Sequence, residues 1–191
     1  MLLLEKGNAD GFILKEKPET YNGKEITKDL ISHMISDLQT GFQRAKFLVP
    51  LNDILMKLEA LLFEFPNINP VSRVSIETCC SSVRQLTQNN DLSIDILKIA
   101  FLNLFAILES LKESGKINTF INTEGSRIGL DPSTFRLWEG IDEIRNCLAH
   151  GDKILKKGKF KGRTISTMIL EESMISLGEF ILKFLWLYLK K

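Results

Sequence analysis

Two side chains that could carry out phosphate chemistry lie close together in the stretch RNCLAHGD, residues 145–152. An arginine such as Arg145 keeps its charge at all physiological pH values, whereas histidine is the side chain that exchanges a proton near neutrality. Arginine can stabilise the extra negative charge on phosphorus while a histidine such as His150 moves a proton to or from oxygen. In RNA the 2′-hydroxyl can act as the nucleophile, so this chemistry needs no metal. The residues could equally serve only to cap a helix.

The spacing of these residues restricts how they can act together. On a continuous α-helix, Arg145 and His150 would lie about 140° apart around the axis, so they would not share a face. Asn146 and His150, four residues apart, would share one, and Asn146 could orient the imidazole by a hydrogen bond. Arg145 would therefore meet His150 only if the helix frays near Ala149 or if a second copy of the segment approaches. By spacing alone, a surface or capping role is the more common one.

A basic stretch follows directly. The segment KKGKFKGR and its neighbours supply six cations within eleven residues, Lys153, Lys156, Lys157, Lys159, Lys161 and Arg163, with Phe160 among them. Such a cluster could hold the phosphate backbone of RNA, and the simpler alternative is a solvated charged loop. The net charge of the chain is only +1, so any binding of nucleic acid must come from a local patch of this kind.

The apolar pattern predicts an all-α bundle of five to six helices over residues 26–191, preceded by an arm or β-hairpin in residues 1–25. The first helix is expected from a cap at Thr27 to about residue 49, where Pro50 should end or kink it, and a second from about 54 to 65. Further helices are expected over 72–88, from Ser93 to about 114, from the Asp131-Pro132 start signal to 150, and over 170–189. Residues 116–130 are predicted to be a loop, and 153–169 a small basic hairpin or loop.

Composition indicates the setting. The chain has 191 residues, 44% of them hydrophobic and 26% charged, which is ordinary for one folded domain. Three cysteines, Cys79, Cys80 and Cys147, predict a reducing, cytoplasmic location, and the start MLLLEKGNADG does not resemble a signal peptide. The apolar run MISLGEFILKFLWLYLKK is interrupted by charged residues, so a core helix is expected rather than a membrane span. Two histidines and no ligand spacing predict neither a metal site nor a cofactor.

The segment EIRNCLAHG resembles the Arg-x4-6-His motif of HEPN domains, the higher eukaryotes and prokaryotes nucleotide-binding family. The order of a motif helix followed by a final core helix is similar too. The resemblance implies a homodimer that pools two motifs in one cleft and cleaves RNA without metal. Arg145 and His150 would then be the catalytic pair, and Asn146 the supporting polar residue. One toxin subgroup has tyrosine where this chain has Asp152, so regulation through that tyrosine is not expected.

The family also implies partners and an alternative. Many members are toxins of toxin–antitoxin pairs or antiviral-defence proteins, so an antitoxin or other regulatory protein is an expected partner besides RNA. Other members keep the fold without nuclease activity. The second hypothesis is therefore a non-catalytic HEPN-like module that binds a nucleotide, RNA or a protein.

Overall fold

The computed structural model describes residues 20–21, 24–25, 27–88, 92–112, 114–151 and 154–190. Over these residues the chain forms six α-helices and one short two-stranded ribbon, so the predicted all-α fold of five to six helices is confirmed. The chain divides into two compact units, residues 1–44 and 45–191. Each unit is described by itself.

The first unit contains the ribbon and the beginning of the first helix. Strands β1 (Thr20–Tyr21) and β2 (Lys24–Glu25) pair antiparallel. The hairpin predicted around GNADG lies outside the described residues. Helix α1 spans Lys28–Glu64, and its first part belongs to this unit. The hydroxyl of Thr27 accepts a hydrogen bond of 3.2 Å from the Leu30 backbone N–H, which confirms the predicted cap.

The prediction that the first helix ends at Pro50 is wrong, because α1 continues through this proline to Glu64. A proline inside a helix costs about 3 kcal/mol, since it lacks an N–H and crowds the preceding turn. The residues that follow it offset that cost. A Leu or Ile side chain contributes up to about 1.5–3 kcal/mol when it is buried, and this part of α1 buries six such side chains, the first, third and fourth of them fully: Leu51, Ile54, Leu55, Leu58, Leu61 and Leu62.

The second unit is built around α3. Its helices are the rest of α1 (residues 45–64), α2 (Pro70–Gln88), α3 (Ile94–Leu111), α4 (Ile117–Arg127), α5 (Pro132–His150) and α6 (Thr167–Leu189). Helix α3 packs against α2 and α6, and α6 also packs against α5. This arrangement buries α3 on most sides, as its apolar sequence predicted. Helix α6 begins three residues earlier than predicted, where the Ser166 side chain caps it. None of the helices in the described part of the chain combines the length and apolarity needed to cross a membrane.

The predicted loop over 116–130 is also wrong, because most of it forms α4. Ile117, Ile121 and Gly125 recur every four residues and are buried on one face of this helix. Gly125, which suggested a loop, is closely packed: a Cβ there would lie 2.9 Å from Leu130 Cδ1 and from Phe135 Cζ, so these side chains would have to move. A glycine can therefore mark a close approach within a helix rather than its end.

Both ends of α5 are as predicted. The Asp131 side chain accepts a hydrogen bond of 3.0 Å from the Thr134 backbone N–H, and Pro132 occupies the first turn. Hydrogen bonds from Lys183 and then from Ser133 and Thr134 hold the pKa of Asp131 well below its usual range. At the other end Gly151 adopts φ +71°, the left-handed conformation that terminates a helix.

The basic segment is a small hairpin, as predicted, which we call the basic hairpin (residues 154–164). Ile154 and Thr164 form an antiparallel bridge, and the Leu155 N–H donates to the Arg163 carbonyl oxygen at 3.0 Å. Leu155 and Phe160 are buried, so the hairpin is attached to the core and is not a freely solvated loop.

The tip of the basic hairpin touches α5 backbone to backbone at two glycines. A Cβ on Gly158, which has φ +73°, would lie 2.6 Å from Gly140 Cα, whereas a Cβ on Gly140 would meet nothing closer than 3.8 Å. Gly158→Ala should therefore lower the free energy of unfolding by about 2 kcal/mol, seen as a melting temperature about 4–8 °C lower. Gly140→Ala is the matched control and should be neutral or stabilising by up to about 1 kcal/mol. Equal losses in the two variants would contradict this close approach.

Candidate functional site

Arg145 lies on the side of α5 that faces α3 and is only partly exposed. Its guanidinium donates from Nη1 to Asn146 Oδ1 at 2.9 Å, and Nη2 lies 3.4 Å from Glu109 Oε1 on α3. The Phe105 ring lies beneath it, with its centroid 5.5 Å from Cζ. One third of the Arg145 side chain remains accessible to solvent. The charge is thus held in a fixed place without being sealed from solvent.

A chain of polar side chains positions Asn146. Its Nδ2 donates to Asp142 Oδ2 at 3.0 Å, and the same oxygen accepts from Asn118 Nδ2 on α4 at 2.7 Å. Asn118 Oδ1 in turn accepts from the indole N–H of buried Trp138 at 2.9 Å. Asn146 was predicted to orient His150, but its oxygen is bound to Arg145 and its amide nitrogen to Asp142. The asparagine therefore supports the arginine.

The ion pair between Arg145 and Glu109 is weak, so Arg145 can leave Glu109 for another anion. Both side chains are about one-third exposed, at 33% and 29%, and pairs of this kind contribute about 0–1 kcal/mol. Glu109 also has a second partner, because its Oε2 lies 2.7 Å from Lys112 Nζ. Loss of Arg145 would not leave this carboxylate unpaired. An incoming phosphate could therefore draw the guanidinium away from Glu109 at small cost.

His150 lies on a different side of α5. Because the helix is continuous through His150, its side chain is about 140° around the axis from that of Arg145. It follows Glu143 by seven residues and so lies within about 20° of it. Glu143 is on the side of the basic hairpin, since its Oε1 accepts from the Lys156 backbone N–H at 2.6 Å. His150 is exposed and has no hydrogen bond or ion pair within the described residues.

The predicted basic residues are in the same region of the fold as His150. Lys156, Lys157, Lys159, Lys161 and Arg163 are all exposed on the basic hairpin. Lys159 Nζ forms an ion pair of 2.7 Å with Glu172 of α6, while Lys153 lies outside the described residues. The hairpin is fixed to α5 by Glu143 and by the Gly140–Gly158 contact. The backbone that carries its cations is therefore fixed relative to α5.

The structure separates the sequence-predicted residues into two groups. Arg145 and Asn146 are joined by a hydrogen bond and lie toward α3 and α4, whereas His150 lies toward the hairpin, although it is only about 40° around the axis from Asn146. Sequence reasoning missed three side chains that position the first group: Glu109, Asn118 and Asp142. Of these three, only Asp142 could have been found from the sequence, because it precedes Asn146 by four residues on one helix. The other two come from separate helices.

Two further features bear on the site: possible metal ligands and related proteins. Within the ranges that the structure describes, no three His, Cys, Asp or Glu side chains are grouped so that they could hold a metal ion. No protein-family profile, curated protein or solved structure matches this chain.

The Asp142 carboxylate gives a test of the polar chain. Asp142→Ala would leave the Asn118 and Asn146 amide groups without their acceptor, and we expect a loss of about 2 kcal/mol, or about 4–8 °C in melting temperature. Asp142→Asn keeps one oxygen to accept from them and should cost clearly less. Glu139→Ala, at an exposed position of the same helix, serves as control and should change stability by under about 0.5 kcal/mol. If Asp142→Ala is as stable as the control, the chain does not position Asn146.

Proposed function

We propose that this protein is a metal-independent endoribonuclease of the HEPN type, whose active cleft is shared by two copies of the chain. The observation that supports this proposal is the arrangement on α5. A partly exposed Arg145, held by Asn146, lies on one side, and an exposed His150 lies about 140° around the axis from it. A single helix cannot bring these groups to one phosphate. Two copies that meet at this end of α5 can, because the arginine of each then faces the histidine of the other.

The proposed reaction uses the chain's own residues for charge and proton transfer. The 2′-oxygen of the substrate ribose attacks phosphorus, and His150 of one copy accepts the proton of the 2′-hydroxyl. The bond from phosphorus to the 5′-oxygen breaks, that oxygen takes a proton from water, and His150 then releases the proton it accepted to the solvent. The products are a 2′,3′-cyclic phosphate and a 5′-hydroxyl end. Arg145 stabilises the negative charge that develops on the phosphorus-bound oxygens.

The energy balance at Arg145 supports this use. Charge-assisted hydrogen bonds from a guanidinium to phosphate contribute about 1.5–3 kcal/mol, more than the 0–1 kcal/mol typical of an exposed ion pair such as that with Glu109. Asn146 can keep its hydrogen bond to Nη1 while Nη2 changes partner. The basic hairpin supplies further cations for the flanking RNA backbone.

One observation favours the second candidate, a non-catalytic HEPN-like binding module. Every contact of Arg145 in the described residues is also one that a purely structural arginine would make: an ion pair to α3, packing on Phe105 and a bond to the next side chain. In this module His150 would have no chemical role, and the basic hairpin would bind RNA or a nucleotide without cleaving it.

A complementation experiment tests the nuclease and its shared cleft together. With EDTA present, Arg145→Ala and His150→Ala should each lower RNA cleavage by at least about 100-fold, the usual effect of removing such a group. Coexpression of the two variants should restore cleavage well above either alone, since a mixed dimer retains one arginine and one histidine in the same cleft. His33→Ala, which removes the other exposed histidine, is the control and should leave cleavage unchanged.

Two results would contradict the proposal in different ways. RNA left intact by the wild-type protein at high concentration, with binding retained, would favour the module. Cleavage that the variants lack and the mixture does not recover would leave a nuclease but reject the shared cleft. Circular dichroism of each variant establishes that the fold is retained.

The toxin or defence role implied by the resemblance belongs to the same proposal. Expression of the wild-type chain in bacteria should slow growth, because cleavage of cellular RNA stops translation. Arg145→Ala should relieve this effect, whereas Arg127→Ala, another exposed arginine, should not. Equal growth of the strains that express wild type and Arg145→Ala, at equal protein levels, would count against a toxin.

A further inference from the structure

A small cleft with cationic walls lies between α5, the basic hairpin and α6, away from Arg145. It encloses about 60 Å³. A cavity needs about 10–15 Å³ to hold one water molecule, so the cleft has room for a group the size of a phosphate or the edge of a ring. Leu137, Ile141 and Phe160 belong to its largely apolar floor. A ligand that fits it must therefore be small and partly apolar.

The rim of this cleft is positively charged. Arg136 from α5 and Lys157 and Lys159 from the basic hairpin line it. Lys159 is paired with Glu172, whereas Arg136 and Lys157 are exposed and have no ion pair within the described residues. Two cations remain available beside the apolar floor. Ser176 adds a hydroxyl that makes no hydrogen bond to any described residue.

The Arg136 edge of the cleft is nearly in line with His150, whereas the other α5 residues that line the cleft lie about 80° or more around the axis from it. Arg136, Glu143 and His150 follow each other at intervals of seven residues, so Arg136 lies within about 40° of His150 around the α5 axis. The distance along the axis is about 21 Å, which a strand of a few nucleotides can span. The Gly140–Gly158 contact and the bond from Lys156 to Glu143 fix the hairpin wall of the cleft in place.

We infer that this cleft is a nucleotide subsite, which binds one nucleotide of an RNA strand a few positions from the cleaved bond. The phosphate would lie between Arg136 and Lys157, with the Ser176 hydroxyl as a further donor, and the sugar or base edge would contact the apolar floor. This inference rests on the proposed function for its substrate, but the binding itself requires no catalysis. The hairpin then serves two purposes, as a source of charge and as one wall of a specific pocket.

Binding of adenosine 5′-monophosphate to the full-length His150→Ala protein provides the test, measured by calorimetry or NMR titration. The double substitution Arg136→Ala and Lys157→Ala should weaken this binding by at least about tenfold, because it removes two charge-assisted contacts to phosphate. The control, Lys57→Ala with Lys98→Ala, removes two cations that each pair with a nearby aspartate outside the cleft and should leave the affinity unchanged. Adenosine and inorganic phosphate should each bind more weakly than the monophosphate.

The outcomes separate this inference from the proposed function. Nucleotide affinity that is the same in the double variant and in the control would overturn the subsite, even if the wild-type protein cleaves RNA. Inorganic phosphate that binds as tightly as the monophosphate would overturn the nucleotide assignment and leave only an anion site. Specific nucleotide binding at Arg136 and Lys157 in a protein that never cleaves RNA would support the subsite and reject the nuclease.

Discussion

The geometry of one uninterrupted helix sets the arrangement of the candidate site. Helix α5 runs without a break from its cap at Asp131 to the left-handed residue Gly151. Each residue therefore turns the chain by about 100°, and five residues place Arg145 and His150 on different sides. Fraying near the end would remove this constraint, but a well-formed terminus at Gly151 opposes it. The separation of the two groups is thus part of the fold.

Each side of α5 is held by a different kind of interaction. Toward α3 and α4 it presents a polar chain, in which Asp142 accepts two amide hydrogen bonds and Asn146 supports the arginine. Toward the basic hairpin it presents Glu143, which accepts a backbone N–H, and Gly140, which admits close backbone contact. The first side fixes a cation that cannot lose its proton. The second fixes the basic hairpin, with its exposed cations, to α5.

The sequence was informative wherever local chemistry determines the structure. Thr27, Ser93 and Asp131 predicted helix starts correctly, because a cap depends only on neighbouring backbone groups. It misled at Pro50 and Gly125, where burial of distant side chains outweighed the local preference. The angle between Arg145 and His150 was predictable from helix geometry.

The partners of the motif were not predictable in the same way. Glu109 and Asn118 belong to other helices, and no spacing within a single sequence reports a contact between them and α5. The same holds for the cleft at Arg136, which exists only because the basic hairpin folds back on α5.

Under the proposed function, this division of the site has a kinetic consequence. A monomer holds a stabilising charge and a proton-transfer group that cannot act on the same phosphate, so it is inert however well it binds RNA. Only contact between two copies completes the cleft, and the rearrangement that the monomer itself points to is the release of Nη2 from Glu109. Separating Nη2 from Glu109 costs at most about 1 kcal/mol. This is small compared with the loss of activity expected when the second copy is absent. Assembly, rather than a conformational change within the chain, would then control the activity.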